Sequence, residues 1–142
     1  LAHGSEPLMT LKVSGRIGSY AGAEERTYLF SEAQLLAEPI HTITTSTSWT
    51  PIASFAGPRV TDLIKKVGVK GEIVDFHALD GYFYSIPLSE LKKYHVILAY
   101  KMNGKRLKIR DYGPLFVVYP RDQYRKVLNV PTTVGKFVWQ VF

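Results

Sequence analysis

Four histidines, His3, His41, His77 and His95, are the side chains best suited to ligate a metal or move a proton near neutral pH. They show no HExxH spacing and no local pairing with carboxylates, so no zinc or di-metal site is expected. The chain has no cysteine, which removes thiolate nucleophiles, thiolate-held metals and disulfides together. No G-x-S-x-G elbow, P-loop or G-x-G-x-x-G run is present, and the nearest approach, Gly15-Arg16-Ile17-Gly18, falls at a strand end. No catalytic residue is therefore assigned. Residues 119–126 interleave aromatic and basic groups as a nucleic-acid stacking surface would. A basic loop beside a core strand explains them as well, and nucleic acid is not expected as a partner.

Three stretches carry polar or aromatic groups that a plain scaffold does not need. Thr44-Thr45-Ser46-Thr47-Ser48-Trp49 runs hydroxyls into an indole, offering neutral hydrogen-bonding partners beside a flat stacking wall. Asp80-Gly81-Tyr82 presents a tyrosine on a tight turn. Arg110-Asp111-Tyr112-Gly113-Pro114 puts an ion-pair-capable dipeptide at a strand end. The competing readings are an edge strand, a simple turn and a turn-closing salt bridge.

The elements that must position these groups follow from periodicity. Residues 9–17 alternate as a half-buried strand does, and Tyr28 to Phe30 reads as a shorter one. Ser31 offers an N-cap to a helix over Glu32 to Ala37, with Leu35 and Leu36 facing inward and Pro39 ending it. The Thr- and Ile-rich stretch from Ile40 to Trp49 predicts a strand. Val60, Leu63, Ile64 and Val67 predict a helix stopped by Gly68. Strands are expected over Ile73 to Leu79 and Tyr82 to Ile86, then a short helix from Leu88 to Tyr94 capped by Ser89. Asn103-Gly104 between residues 96–102 and 105–110 predicts a type I′ hairpin. Leu115 to Tyr119 and Phe137 to Phe142 complete the strands. The class is α+β: mostly short strands in mixed sheets with two or three short helices.

With 142 residues, 46% hydrophobic and 21% charged, the chain fits one folded domain over residues 8–142. Residues 1–7 read as a flexible segment left near a signal-peptide cleavage point or by cloning, which suggests a periplasmic or secreted protein. No apolar run approaches the ~20 residues that cross a bilayer, and direct membrane insertion is not expected. The net charge of +6 is uneven: residues 1–71 carry 7 basic and 6 acidic groups, residues 72–142 carry 11 and 6. Lys101, Lys105, Arg106 and Lys108 near the hairpin tip are the candidate partner face, with salt-sensitive association.

Several blocks together resemble the molybdopterin-binding domain of the sulfite-oxidase family. They are residues 55–64 (FAGPRVTDLI), Asp80-Gly81-Tyr82 through Leu88, residues 96–104 (VILAYKMNG) and residues 113–120 (GPLFVVYP), and the match spans about residues 8–142. Family enzymes hold molybdenum through one cysteine just before a Trp and a Trp/Phe-x-Gly segment. Counting back from Trp49 and Gly57 places Thr45 there, and a hydroxyl is a poor substitute for a soft thiolate. Where many enzymes have Gly-Pro-Leu-Arg this chain has Phe116, and the Lys-rich segment before the last strand is reduced to Gly135-Lys136.

The chain looks most like a single-domain branch without the metal-ligand cysteine, similar to periplasmic pterin-binding regulators of membrane-bound cyclic di-GMP enzymes. That resemblance implies a non-catalytic domain that binds a pterin, carries no molybdenum cofactor and relays ligand state to the periplasmic domain of a membrane signalling protein. Trp49 or Tyr82 would stack on the pterin, Asp111 would accept two hydrogen bonds from its guanidine-like edge, and Arg110, Thr45 and Thr47 would give supporting polar contacts. The alternatives are a molybdopterin-dependent oxidoreductase with a non-cysteine metal site, and a structural or chaperone-like domain with an empty pocket.

Overall fold

A computed structural model describes residues 9–15, 26–68, 71–124, 136–139 and 141–142. The segments 1–7 and 125–126, and Arg16 and Ile17, lie outside these, as do the expectations placed on them. Among the described residues ten short strands and three short α-helices form the α+β architecture, and every strand pair is antiparallel.

Strands β1 (Leu11–Gly15) and β2 (Arg26–Phe30) form one hairpin. Helix α1 (Glu32–Ala37) follows, its first turn closed by a capping box between Ser31 and Gln34. Leu35 is fully buried but Leu36 is exposed, so this one-and-a-half-turn helix turns a single leucine inward rather than two.

Strand β3 (His41–Thr45) pairs with β4 (Ala53–Gly57), and the sheet continues through β8 (Lys101–Met102) to β9 (Lys105–Arg106). The strand expected to reach Trp49 stops at Thr45. The cause is local: Thr47 Oγ1 accepts the backbone N–H groups of Trp49 and Thr50, each at 3.1 Å, and so diverts them from any ladder.

Helix α2 (Val60–Val67) buries Val60, Leu63 and Val67 and ends on Gly68 in the left-handed region, as its spacing predicts. Strands β5 (Ile73–His77) and β6 (Phe83–Pro87) form a separate hairpin. Helix α3 (Leu88–Lys93) starts directly after Pro87. Ser89 therefore sits inside the first turn instead of capping it.

Strand β7 (Ile97–Ala99) pairs with β10 (Phe116–Val118) at the centre of the core, where both strands are wholly buried. The Asn103-Gly104 turn has φ of 52° and 81°, the positive values a type I′ turn requires. Its ladder covers only β8 and β9, because Leu98 and Tyr100 donate their N–H groups to Pro58 and Ala56 at 2.9 Å. The second arm leaves the sheet after Leu107 and enters a single 3₁₀ turn at Ile109–Asp111. Among the described residues of 137–142 the expected strand is not formed. The segment is tied by single contacts: Val117 N–H to Val138 O at 2.7 Å, and bridges from Val141 to Ala78 and Leu115.

Candidate ligand-binding site

The β3–β4 sheet delivers Thr45 fully buried at the end of β3. Its hydroxyl donates to Ser46 O at 2.9 Å and accepts the N–H of Asp122 at 3.0 Å. The Asp122 carboxylate in turn accepts Ser46 N–H at 2.8 Å and Ser46 Oγ–H at 2.5 Å, and Arg121 Nη2 donates to Ser46 Oγ at 2.8 Å. Asp122 and Arg121 belong to a 3₁₀ turn over Arg121–Tyr124, three residues beyond β10. The loop after β3 is thus latched to a turn that is remote in sequence. The Arg121 guanidinium also lies 6.0 Å from the Phe137 ring centre, and its Nε is buried without a hydrogen-bond partner.

One turn further on, Thr47 Oγ1 pairs with Thr50 Oγ1 at 2.9 Å inside the loop. The hydroxyls of both Thr45 and Thr47 are therefore occupied in shaping the loop. What the loop presents outward is Trp49, 46% exposed, its Nε1–H fixed on Phe137 O at 3.1 Å. Trp139 lies beside it, with ring centres 6.4 Å apart, and Tyr112 meets Trp139 edge-on at 5.5 Å. Tyr112 stacks on Phe116 at 5.3 Å and donates its hydroxyl to Trp49 O at 3.1 Å. Its φ of 72° is a left-handed conformation that a non-glycine residue adopts at a cost, held here by ring contacts on two sides.

Arg110 and Asp111 occupy the 3₁₀ turn immediately before Tyr112, 3.7 Å apart and both largely exposed. The fold so gathers Thr45 at the end of β3 with Thr47 and Trp49 of the loop that follows, and joins the Arg110-Asp111 turn to that loop through Tyr112. Tyr82 is placed elsewhere, beside the β5–β6 turn, where its N–H donates to Asp80 Oδ1 at 2.9 Å. Partial burial, with Tyr84 nearby, holds its phenol above the ordinary tyrosine value.

Sequence reasoning missed Asp122, Arg121 and Trp139. Residues 121–122 stood within a stretch read as a basic loop, and no local pattern announces a partner more than seventy residues away. Among the described residues no group of three or more His, Cys, Asp or Glu side chains could hold a metal. A half-exposed indole, with an exposed carboxylate and guanidinium on the turn that Tyr112 ties to its loop, offers the groups that a flat, polar heteroaromatic ligand needs. The Thr45 hydroxyl, at the position that the resemblance assigns to a cysteine, is committed as both donor and acceptor.

Residues 23–124 match the family described as oxidoreductase molybdopterin binding domain. The sulfane dehydrogenase SoxCD from Paracoccus pantotrophus is similar in structure, with a TM-score of 0.56 and 19% identity over 77% of this chain and 33% of that one. This chain thus spans about a third of the SoxCD chain and shares its fold. No curated protein sequence matches.

Proposed function

The chain belongs to the oxidoreductase molybdopterin-binding domain family, and from that premise we propose that it binds a pterin-type ligand without a protein thiolate on molybdenum, as a non-catalytic domain. The observation that carries this reading is Thr45. At the position that the resemblance assigns to the metal-ligating cysteine stands a fully buried hydroxyl, spent on Ser46 O and Asp122 N–H.

In this reading Trp49 stacks on the pterin face and Asp111 accepts hydrogen bonds from its amino and ring N–H edge, with Arg110 alongside. Thr45 and Thr47 serve by holding the Trp49 loop in shape. The proposal extends to a periplasmic or secreted setting and to relay of ligand state to a membrane-bound signalling partner, for which a cyclic di-GMP enzyme is the candidate. Support for these steps comes from the resemblance and from the exposed lysines of the hairpin tip. There Lys105 and Lys108 are free to engage an acidic surface, whereas Arg106 is held by Glu32 at 2.6 Å and lies over the Tyr100 ring.

The test is to purify the chain natively from cells competent for molybdopterin synthesis, then measure metals and released small molecules. A pterin without stoichiometric molybdenum is expected, and Trp49→Ala and Asp111→Ala should each lower its content. One molybdenum per chain would overturn the reading in favour of an oxidoreductase with a non-cysteine metal site. Protein free of any pterin would favour an empty interaction domain. For the relay, a complex with the partner's periplasmic domain that survives unchanged from low to high salt would exclude the lysine face, since exposed charges are screened within about 8 Å at physiological salt.

A further inference from the structure

The β5–β6 hairpin shows solvent a face whose composition differs from the rest of this basic chain. In its register Ile73 lies opposite Pro87, Asp75 opposite Ser85 and His77 opposite Phe83, and all six side chains are exposed. Ile73 is 64% and Phe83 56% exposed, and His77 stacks on Phe83 with ring centres 5.5 Å apart. At the middle sits the Asp75 carboxylate, oriented by a 2.5 Å hydrogen bond from Ser85 Oγ to Oδ1. Residues 71–87 hold Glu72, Asp75 and Asp80 and no Lys or Arg, although the chain has 18 of them.

We propose that this face is a docking surface for a protein segment that presents one Lys or Arg between two apolar side chains. The order along the face is apolar, acidic, aromatic. A cation placed over Asp75 would pair with the carboxylate while its apolar neighbours cover Ile73 on one side and the Phe83–His77 stack on the other, and an aromatic ring beside a cation adds attraction.

Charge decides among the occupants. An anionic lipid surface or a nucleic acid would be repelled by three carboxylates. A second copy docking symmetrically through the same face would bring like charges together, on chains that already repel at net +6. A partner segment carrying a cation between apolar groups meets neither objection. The inference stands apart from the pterin reading, since it invokes neither Trp49 nor a bound ligand.

The experiment is an NMR titration of the full chain with two extended synthetic peptides, one built on Val-Thr-Arg-Thr-Val and the other with Glu replacing Arg. The Arg peptide should shift amide signals of residues 72–87 and the Glu peptide should not. Phe83→Ser should weaken binding by about tenfold or more, and Asp75→Asn by roughly threefold at low salt. Asp75→Lys should transfer the preference to the Glu peptide. Both positions are exposed, so folding is retained and checked by circular dichroism. Equal response to both peptides, shifts confined to other elements, no response, or a preference unmoved by charge reversal would each overturn the proposal. So would concentration-dependent self-association lost in Phe83→Ser, which would give the face to a second copy.

Discussion

The hydroxyl of fully buried Thr45 accepts the backbone N–H of the partly buried Asp122 at 3.0 Å, joining positions 77 residues apart. Because the same hydroxyl donates to Ser46 O, it satisfies two backbone groups that have little access to water. Thr45→Val keeps the shape and removes both bonds. We expect it to destabilise the chain by about 1–3 kcal/mol, the cost of leaving buried polar groups unpaired. Thr45→Ser keeps the hydroxyl and should cost about 1 kcal/mol for the lost methyl. Urea unfolding separates them; equal losses would show that the methyl, not the hydrogen bonds, matters.

Gly57 marks where β4 and β7 cross most closely. A Cβ built on it would lie 2.0 Å from Leu98 O and 2.8 Å from Ala99 Cα, both backbone atoms of a wholly buried strand. Neither can yield as a flexible side chain would. Gly57→Ala should therefore cost about 3 kcal/mol or more, read as a lower thermal midpoint or a loss of soluble protein. A midpoint within a degree or two of the parent would contradict the close approach.

The sequence was most legible where a signal is local. Ser31 as N-cap, the helical i, i+3, i+4, i+7 spacing of Val60, Leu63, Ile64 and Val67 ending at Gly68 and the Asn103-Gly104 turn all act within a few residues, and each stands as predicted. It was less legible where side chains compete with the ladder. Thr47, by itself a good strand residue, ends β3 by capturing two N–H groups. The site was half legible: the Thr45–Trp49 run and the Arg110–Asp111 turn could be flagged by composition. The latch onto Asp122 and the seating of Trp139 beside Trp49 exist only once β7 and β10 pair, and a single sequence does not encode that proximity in any short pattern.

Tyr112 links the exposed Arg110–Asp111 turn to the indole wall, and its hydroxyl bond to Trp49 O can be removed without disturbing its ring contacts. Tyr112→Phe should cost about 0.5–1.5 kcal/mol and loosen the Trp49 loop. Tryptophan emission should then become easier to quench by added acrylamide. Tyr112→Gly would suit the positive φ but lose both ring contacts, and should cost more than the phenylalanine variant. If glycine were the milder change, backbone strain rather than ring packing would govern this position.

Alkali should unfold the chain through Tyr119. Its ring is fully buried between Phe137 and Tyr94, and its hydroxyl donates to Glu90 Oε2 at 2.5 Å. Burial first, then the hydrogen bond and charge of Glu90, push its phenol far above the ordinary value of 10.0. A folded-state pKa raised above the unfolded one gives stability that is complete below the unfolded value and is lost as pH rises toward the folded one. Above pH ~10 the unfolded chain ionises this phenol and the folded chain does not, so stability should fall by up to about 1.4 kcal/mol per pH unit from this group. Tyr119→Phe removes that term while other tyrosines stay. It also leaves Glu90 with Lys136 at 2.9 Å as a described partner, so a lower baseline at neutral pH is expected together with a shallower alkaline slope. Urea midpoints measured in steps between neutral pH and pH ~11 would show the two curves converging; parallel curves would mean that Tyr119 ionises without unfolding the core.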